Sequence, residues 1–198
     1  MARVGRRVAE YGRIGLVHRS VLVSSVVAPV ALIGGWTLAA TRQPASYDPV
    51  SQTISALAGH DATDRWVMTT GIAVTGVAHV VTALGLTEAR PASRVLLAAG
   101  GVATTSVAVF AEPSQAHVPV ATTSFVLLAA WPLLSDVPSR RAGLVAGIGL
   151  GALAAWLGTE LGGPRVGGVE RVVAGAQSLW PLAAVALVRR TTSRAARA

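Results

Sequence analysis

Six long apolar stretches separated by short connections constrain this 198-residue chain more than any other feature. They run Val21–Ala40, Trp66–Leu86, Val95–Ala111, Val118–Leu134, Ala142–Leu161 and Val172–Val188. A hydrocarbon core about 30 Å thick needs roughly 20 predominantly apolar residues per helix, which is close to the length of each run. Helices are required because the bilayer interior offers no water to satisfy backbone N–H and C=O groups. A closed barrel would show strands of alternating polarity, and these runs do not alternate. A soluble bundle would carry a polar face on most helices. Here Val95–Phe110 has only threonine and serine as polar residues, and Ala142–Leu157 has no charge at all. The composition agrees: 52% hydrophobic and 13% charged residues, with a mean hydropathy of +0.56. The expected fold is therefore all-α, a polytopic membrane bundle of six transmembrane helices. It divides into a basic arm (1–19), a six-helix domain (20–188) and a basic tail (189–198).

The arginines give this bundle a direction. All 17 basic residues are arginine, and 13 of them fall in the N-terminal arm, the second and fourth connections and the C-terminal tail. Arg42, Arg65, Arg165 and Arg171 are the four on the other side. By the positive-inside rule both termini are expected in the cytoplasm of a cell-membrane protein. The net charge of +8 flanks apolar spans, which favours anionic membrane lipids over nucleic acid as the partner. The first apolar run exceeds the roughly 7–15 residues of a signal-peptide core, so an uncleaved first helix is expected. In the arm, Val4, Val8, Tyr11 and Ile14 recur at helical spacing between arginines, as in a helix lying on a membrane surface or in a solvated basic segment. Cysteine is absent, which excludes disulfides. The lack of lysine beside abundant alanine, valine and glycine fits a bacterial genome rich in G and C.

The first external connection is the least ordinary segment, reading Tyr47-Asp48-Pro49-Val50-Ser51-Gln52-Thr53-Ile54-Ser55-Ala56-Leu57-Ala58-Gly59-His60. Asp48 then Pro49 is a helix-start pattern, and Val50, Ile54, Leu57 and Ala58 fall on one face before a glycine stop. A short amphipathic helix is expected here, presenting Ser51, Gln52 and Ser55 on its polar face. This segment, with Trp66-Val67-Met68 and Gly71 after it, resembles the domain of unknown function 998 family. Phe110-Ala111-Glu112-Pro113 with His117, and Gly168-Val169-Glu170-Arg171 with Trp180-Pro181, are similar to further elements of that family. The resemblance covers about Val21 to Arg190. It implies a six-span prokaryotic membrane protein and no particular activity.

Polar chemistry concentrates on the external side, with Asp48, Asp61, Asp64, Glu112, Glu160, Glu170, His60 and His117. Histidine beside carboxylates can hold zinc, and Ser51 or Ser55 beside a histidine can act as a nucleophile. The histidines lack the spacing of a helical zinc motif, and several of the acids suit helix caps, so neither a metal nor a cofactor is expected. His79 is the sharper candidate. An ionisable group near the middle of a span is costly and marks a functional site by default; the structural alternative is a neutral ring bonded to Thr75 or to a neighbouring helix. Gly143, Gly147 and Gly151 form a small-residue repeat that suits either homo-oligomerisation or packing within the bundle. Trp131-Pro132-Leu133 and Trp180-Pro181-Leu182 stand at equal distances before arginine pairs, hinting at duplicated hairpins and at a proline kink in each span.

Two functions fit. The first is an integral membrane protein without catalytic activity that binds lipid or supports a membrane partner. The second is a membrane-embedded enzyme or carrier acting on a lipid or small amphiphile at the outer leaflet. That site would draw on Ser51, Ser55, His60, His79, Glu112, His117 and Glu170, with a histidine as general base.

Overall fold

The computed structural model describes residues 2–195, with side chains for residues 19–190. Among the described residues it is all-helical. The elements are α1 (Ala2–Ala40), α2 (Ile54–Ala58), α3 (Trp66–Gly85), α4 (Pro91–Val109), α5 (His117–Ala130), a 3-10 turn (Trp131–Leu134), α6 (Arg140–Thr159) and α7 (Val166–Ala195). Six segments are long and apolar enough to cross a membrane: Arg19–Ala40, Trp66–Gly85, Pro91–Val109, His117–Leu134, Arg140–Thr159 and Val166–Arg190. The last begins six residues before the apolar run does, because Gly167, Gly168, Glu170 and Arg171 form its opening turns. The backbone of the arm continues α1 without a break. The side chains of Val4, Val8, Tyr11 and Ile14 lie outside the described ones.

Helices α1, α3, α4, α5 and α7 surround the core, and α6 packs outside α5 and α7. Helix α3 is central, and small residues let its neighbours approach. A Cβ on Gly71 would stand 2.8 Å from the Ala31 carbonyl of α1. A Cβ on Gly76 would meet the backbone of Gly101 and Thr105 of α4 at 2.5 and 2.6 Å. Beside these contacts, the Thr75 hydroxyl bonds the Ala28 carbonyl at 3.2 Å, and Ser24 and Thr82 pair at 2.7 Å. Without a hydrophobic force between helices in lipid, close packing and such bonds hold the bundle.

The arginine-rich end is held by carbonyl caps. Arg94 donates to the carbonyls of Ala83 and Leu84 at 2.8 and 2.6 Å, satisfying two carbonyls in the last turn of α3. Arg140 caps the Leu133 carbonyl, and Arg90 pairs with Asp136. The two Trp-Pro-Leu tripeptides have different structures. Trp131-Pro132-Leu133 forms the 3-10 turn that ends α5, whereas Trp180-Pro181-Leu182 lies inside α7. Gly143 and Gly147 pack within the bundle, against the carbonyls of Pro132 and Ser135 and against Leu133 respectively. A side chain at Gly151 would meet nothing within 4 Å, so it alone of the three is free for contact with a second copy.

Because a Cβ on Gly76 would meet the backbone of Gly101 and Thr105 as well as the Thr105 hydroxyl, Gly76→Ala should lower stability by about 1–3 kcal/mol through overpacking. Gly149→Ala, where a Cβ meets nothing within 4 Å, should be neutral or slightly stabilising. Thermal melting of the detergent-solubilised protein checks both; equal melting temperatures for the two variants would contradict the packing at Gly76.

Candidate functional site

The first connection is tied to the opening turns of α7 by two adjacent charged residues. Arg171 donates to the carbonyls of Pro49 and Gln52 at 2.7 and 2.9 Å, to that of Gly167 at 2.8 Å, and to the Tyr47 hydroxyl at 2.5 Å. A guanidinium suits this task because its rigid fork presents five donors. Burial pushes the Tyr47 phenol up, against the pull of Arg171. Glu170 accepts the Ile54 backbone N–H at 2.5 Å, and Ser55 lies beside it on the walls of the spaces described below. The Gly168 N–H donates to the Val50 carbonyl at 2.9 Å, and Gly167 brings the backbones so close that a Cβ there would strike the carbonyls of Gln52 and Pro49.

This docking replaces the expected helix from Asp48. Asp48 instead closes a turn, accepting the Val50 N–H at 3.0 Å and the Ser51 hydroxyl at 2.7 Å. Those two bonds, the backbone one first, hold its carboxyl below the usual range. Helix formation waits until Thr53, whose hydroxyl caps Ala56 at 3.0 Å, and α2 is a single turn ending at Gly59. Val50 is consequently exposed while Ile54, Ser55, Leu57 and Ala58 are buried. Asp64 is not a side-chain cap for α3; it pairs with Arg42 at 2.7 Å, and that bond lowers its carboxyl as well.

Beneath α2 lies an interior cavity of about 60 Å³. Ser55, His79, Glu170 and Gln177 line it, among apolar side chains of six helices. His79 and Gln177 are each 1% exposed. Neither ring nitrogen of His79 and not the Gln177 Oε1 has a hydrogen-bond partner among the described residues. The Gln177 amide nitrogen donates to the Phe125 carbonyl at 2.9 Å. Thr75 does not partner His79, because its hydroxyl donates to the Gly71 and Ala28 carbonyls at 2.7 and 3.2 Å. That leaves a polar ring in the bundle centre aimed into a cavity.

A second space, about 220 Å³, opens sideways between α5, α6 and α7. Its walls are apolar, with Phe125, Val126, Leu157 and Leu161 among them, and its polar end holds Ser55, Glu112, His117 and Glu170. Val118, Val126 and Leu161 on its rim are 65%, 57% and 69% exposed, as residues facing hydrocarbon would be. His117 is fixed by its Nδ1, 2.9 Å from the Phe110 carbonyl. A carbonyl only accepts, so Nδ1 carries the proton. Nε2 faces Glu112 at 3.6 Å.

The expected site residues therefore fall into separate places. Ser55 and Glu170 border both spaces, His79 lines the interior cavity, and Glu112 and His117 line the groove. Ser51 stays on the exposed turn with Asp48, and His60 is exposed on the connection, its backbone N–H donating to the Glu112 carbonyl at 3.2 Å. Among the described residues no three of His, Cys, Asp and Glu converge as metal ligands. Gln177 is not among the residues that the sequence points to, and Arg171 stands out there only as an external arginine and as part of the Gly168–Arg171 element, not as a site residue. The available signal is a lone amide within an apolar run for the first, and an acid–arginine pair shortly after two glycines for the second.

Arg171→Ala should free residues 47–58, since charge-assisted bonds to carbonyls contribute about 1.5–3 kcal/mol each. Amide hydrogen exchange there should rise at least tenfold while α3 and α4 stay protected; unchanged exchange would contradict the clamp.

No curated protein and no solved structure matches the chain. Residues 26–187, most of its length and all but the terminus-proximal ends of the first and last spans, match a family described as protein of unknown function (DUF998). The chain belongs to that family, whose members are grouped by sequence without an assigned activity.

Proposed function

We propose that the protein binds a lipid or small single-chain amphiphile in the lateral groove between α5, α6 and α7. The observation that carries this reading is the groove itself: apolar walls, exposed apolar rim and a cluster of polar side chains at one end. Such a shape matches a molecule with a hydrocarbon chain and a polar head. The polar end lies on the side of the 41–65, 110–116 and 160–165 connections, and the arginine bias of the opposite end supports placing that opposite end in the cytoplasm. On that reading the protein is a multi-pass cell-membrane protein with both termini inside, and its ligand enters from the outer leaflet.

Binding is favoured over catalysis on geometric grounds. His79 and His117 border different spaces, and Ser51 is spent on Asp48. Ser55 touches both spaces, but its close polar neighbour is the Glu170 carboxylate, and no histidine is bonded to it among the described residues. A nucleophile needs an aligned base.

Gly158 offers a test, because it lines the groove and a side chain added there meets nothing within 4 Å. Gly158→Phe should fill the groove without disturbing the fold. Native mass spectrometry of delipidated protein with oleoyl lipids bearing uncharged, anionic or amine heads should give saturable one-to-one binding of at least one, weakened at least tenfold by Gly158→Phe at unchanged melting temperature. Absence of saturable binding, or binding indifferent to the substitution, would overturn the reading.

A further inference from the structure

The interior cavity and the groove share Ser55, Ala121, Phe125 and Glu170 in their walls. The polar end of a molecule in the groove thus lies against the partition that leads to His79 and Gln177. The remaining polar groups of the cavity are largely occupied. The Thr75 hydroxyl is bonded to carbonyls, Thr104 and Ser124 pair at 2.7 Å, and Ser178 donates to the Gly175 carbonyl at 2.9 Å. What the cavity offers a ligand is therefore set by the unpartnered groups: one N–H and one lone pair from a neutral imidazole, and the acceptor Oε1 of Gln177.

This set has a specific complement. A phosphate or carboxylate only accepts, so it would leave the Gln177 oxygen and the imidazole lone pair without donors. It would also approach Glu170 and Glu112, and among the described residues no arginine lines either space. An ammonium would be drawn to Glu170, whose carboxylate already accepts the Ile54 N–H, but it only donates, so the imidazole N–H would stay unmatched. Hydroxyls do both. A volume of about 60 Å³ accommodates roughly four water-sized groups, the scale of a head with two hydroxyls. We propose that the interior cavity receives the uncharged, hydroxyl-bearing head of the amphiphile, held by His79 and Gln177, and selects it over anionic and ammonium heads. This rests on the groove reading and adds the chemical class of the ligand.

Three probes with the same oleoyl chain test it: monoolein, oleoyl lysophosphatidic acid and oleylamine. Binding to delipidated protein should be at least tenfold tighter for monoolein than for the other two. His79→Leu and Gln177→Leu should each weaken monoolein about tenfold and leave lysophosphatidic acid within about twofold. His79→Gln, which keeps one donor and one acceptor, should recover part of the loss. Melting temperatures of the variants verify folding, and Gly158→Phe should weaken whichever probes bind. Equal affinity for the three probes with continued sensitivity to Gly158→Phe overturns the head-group selection while the groove stands. Preference for monoolein that survives both leucine substitutions also overturns it. Failure of all three probes to bind overturns the groove and the selection together.

Discussion

Two consecutive charged side chains at the start of α7 organise the polar end of this bundle. Glu170 takes the first free N–H of α2, and Arg171 takes carbonyls on either side of the preceding turn. A connection of this length would otherwise lie on the surface as a loop. Tied at both polarities of its backbone, it folds over the core instead, buries Ile54 and Leu57 against α1 and α3, and places Ser55 against Glu170. The interior cavity and the lateral groove both take their boundary from that placement. Glycine at 167 is what allows the approach, since any larger residue would strike the docked backbone.

The bundle below follows from a different economy. Small residues at the α1–α3 and α3–α4 crossings bring backbones together, and threonine and serine hydroxyls return their protons to nearby carbonyls. Most span hydroxyls are settled in this way; of the buried side-chain atoms left without a partner, those of His79 and Gln177 line the interior cavity, whereas the Trp131 and Trp180 indoles and the Asp136 Oδ1 do not. Leaving a buried polar atom without a partner costs about 1–3 kcal/mol. A bundle that bears this at two side chains facing one cavity is more simply understood as holding a place for polar groups than as a packing accident.

The spans were legible from the sequence because bilayer thickness fixes run length, and the first five begin and end within a few residues of the apolar runs. The sixth was read too short. Charges at Glu170 and Arg171 look like a loop to any hydropathy argument, yet they sit on a helix because their partners come from residues 47–54, more than a hundred positions away. The same long-range bonds explain the misread helix at Asp48. Its local pattern of aspartate then proline is a sound helix start, but Arg171 claims the Pro49 and Gln52 carbonyls and Thr53 supplies a better cap. Within the site, His79 was visible as an ionisable residue in mid-span, and Ser55 and Glu170 as members of the polar set. Their division into a cavity and a groove was not visible, because it depends on where Phe125 and α6 lie.

The central claim is that the α5–α6–α7 groove holds one hydrocarbon chain in a defined orientation. Photocross-linking with a monoacylglycerol carrying a diazirine in its acyl chain, mapped by peptide mass spectrometry in nanodiscs, tests this most directly. Adducts concentrated on Val118, Thr122, Val126, Leu157 and Leu161, and competed by unlabelled monoolein, are the predicted result. Adducts spread evenly over other exposed apolar positions such as Val77, Val95 and Val102, and indifferent to competitor, would contradict it.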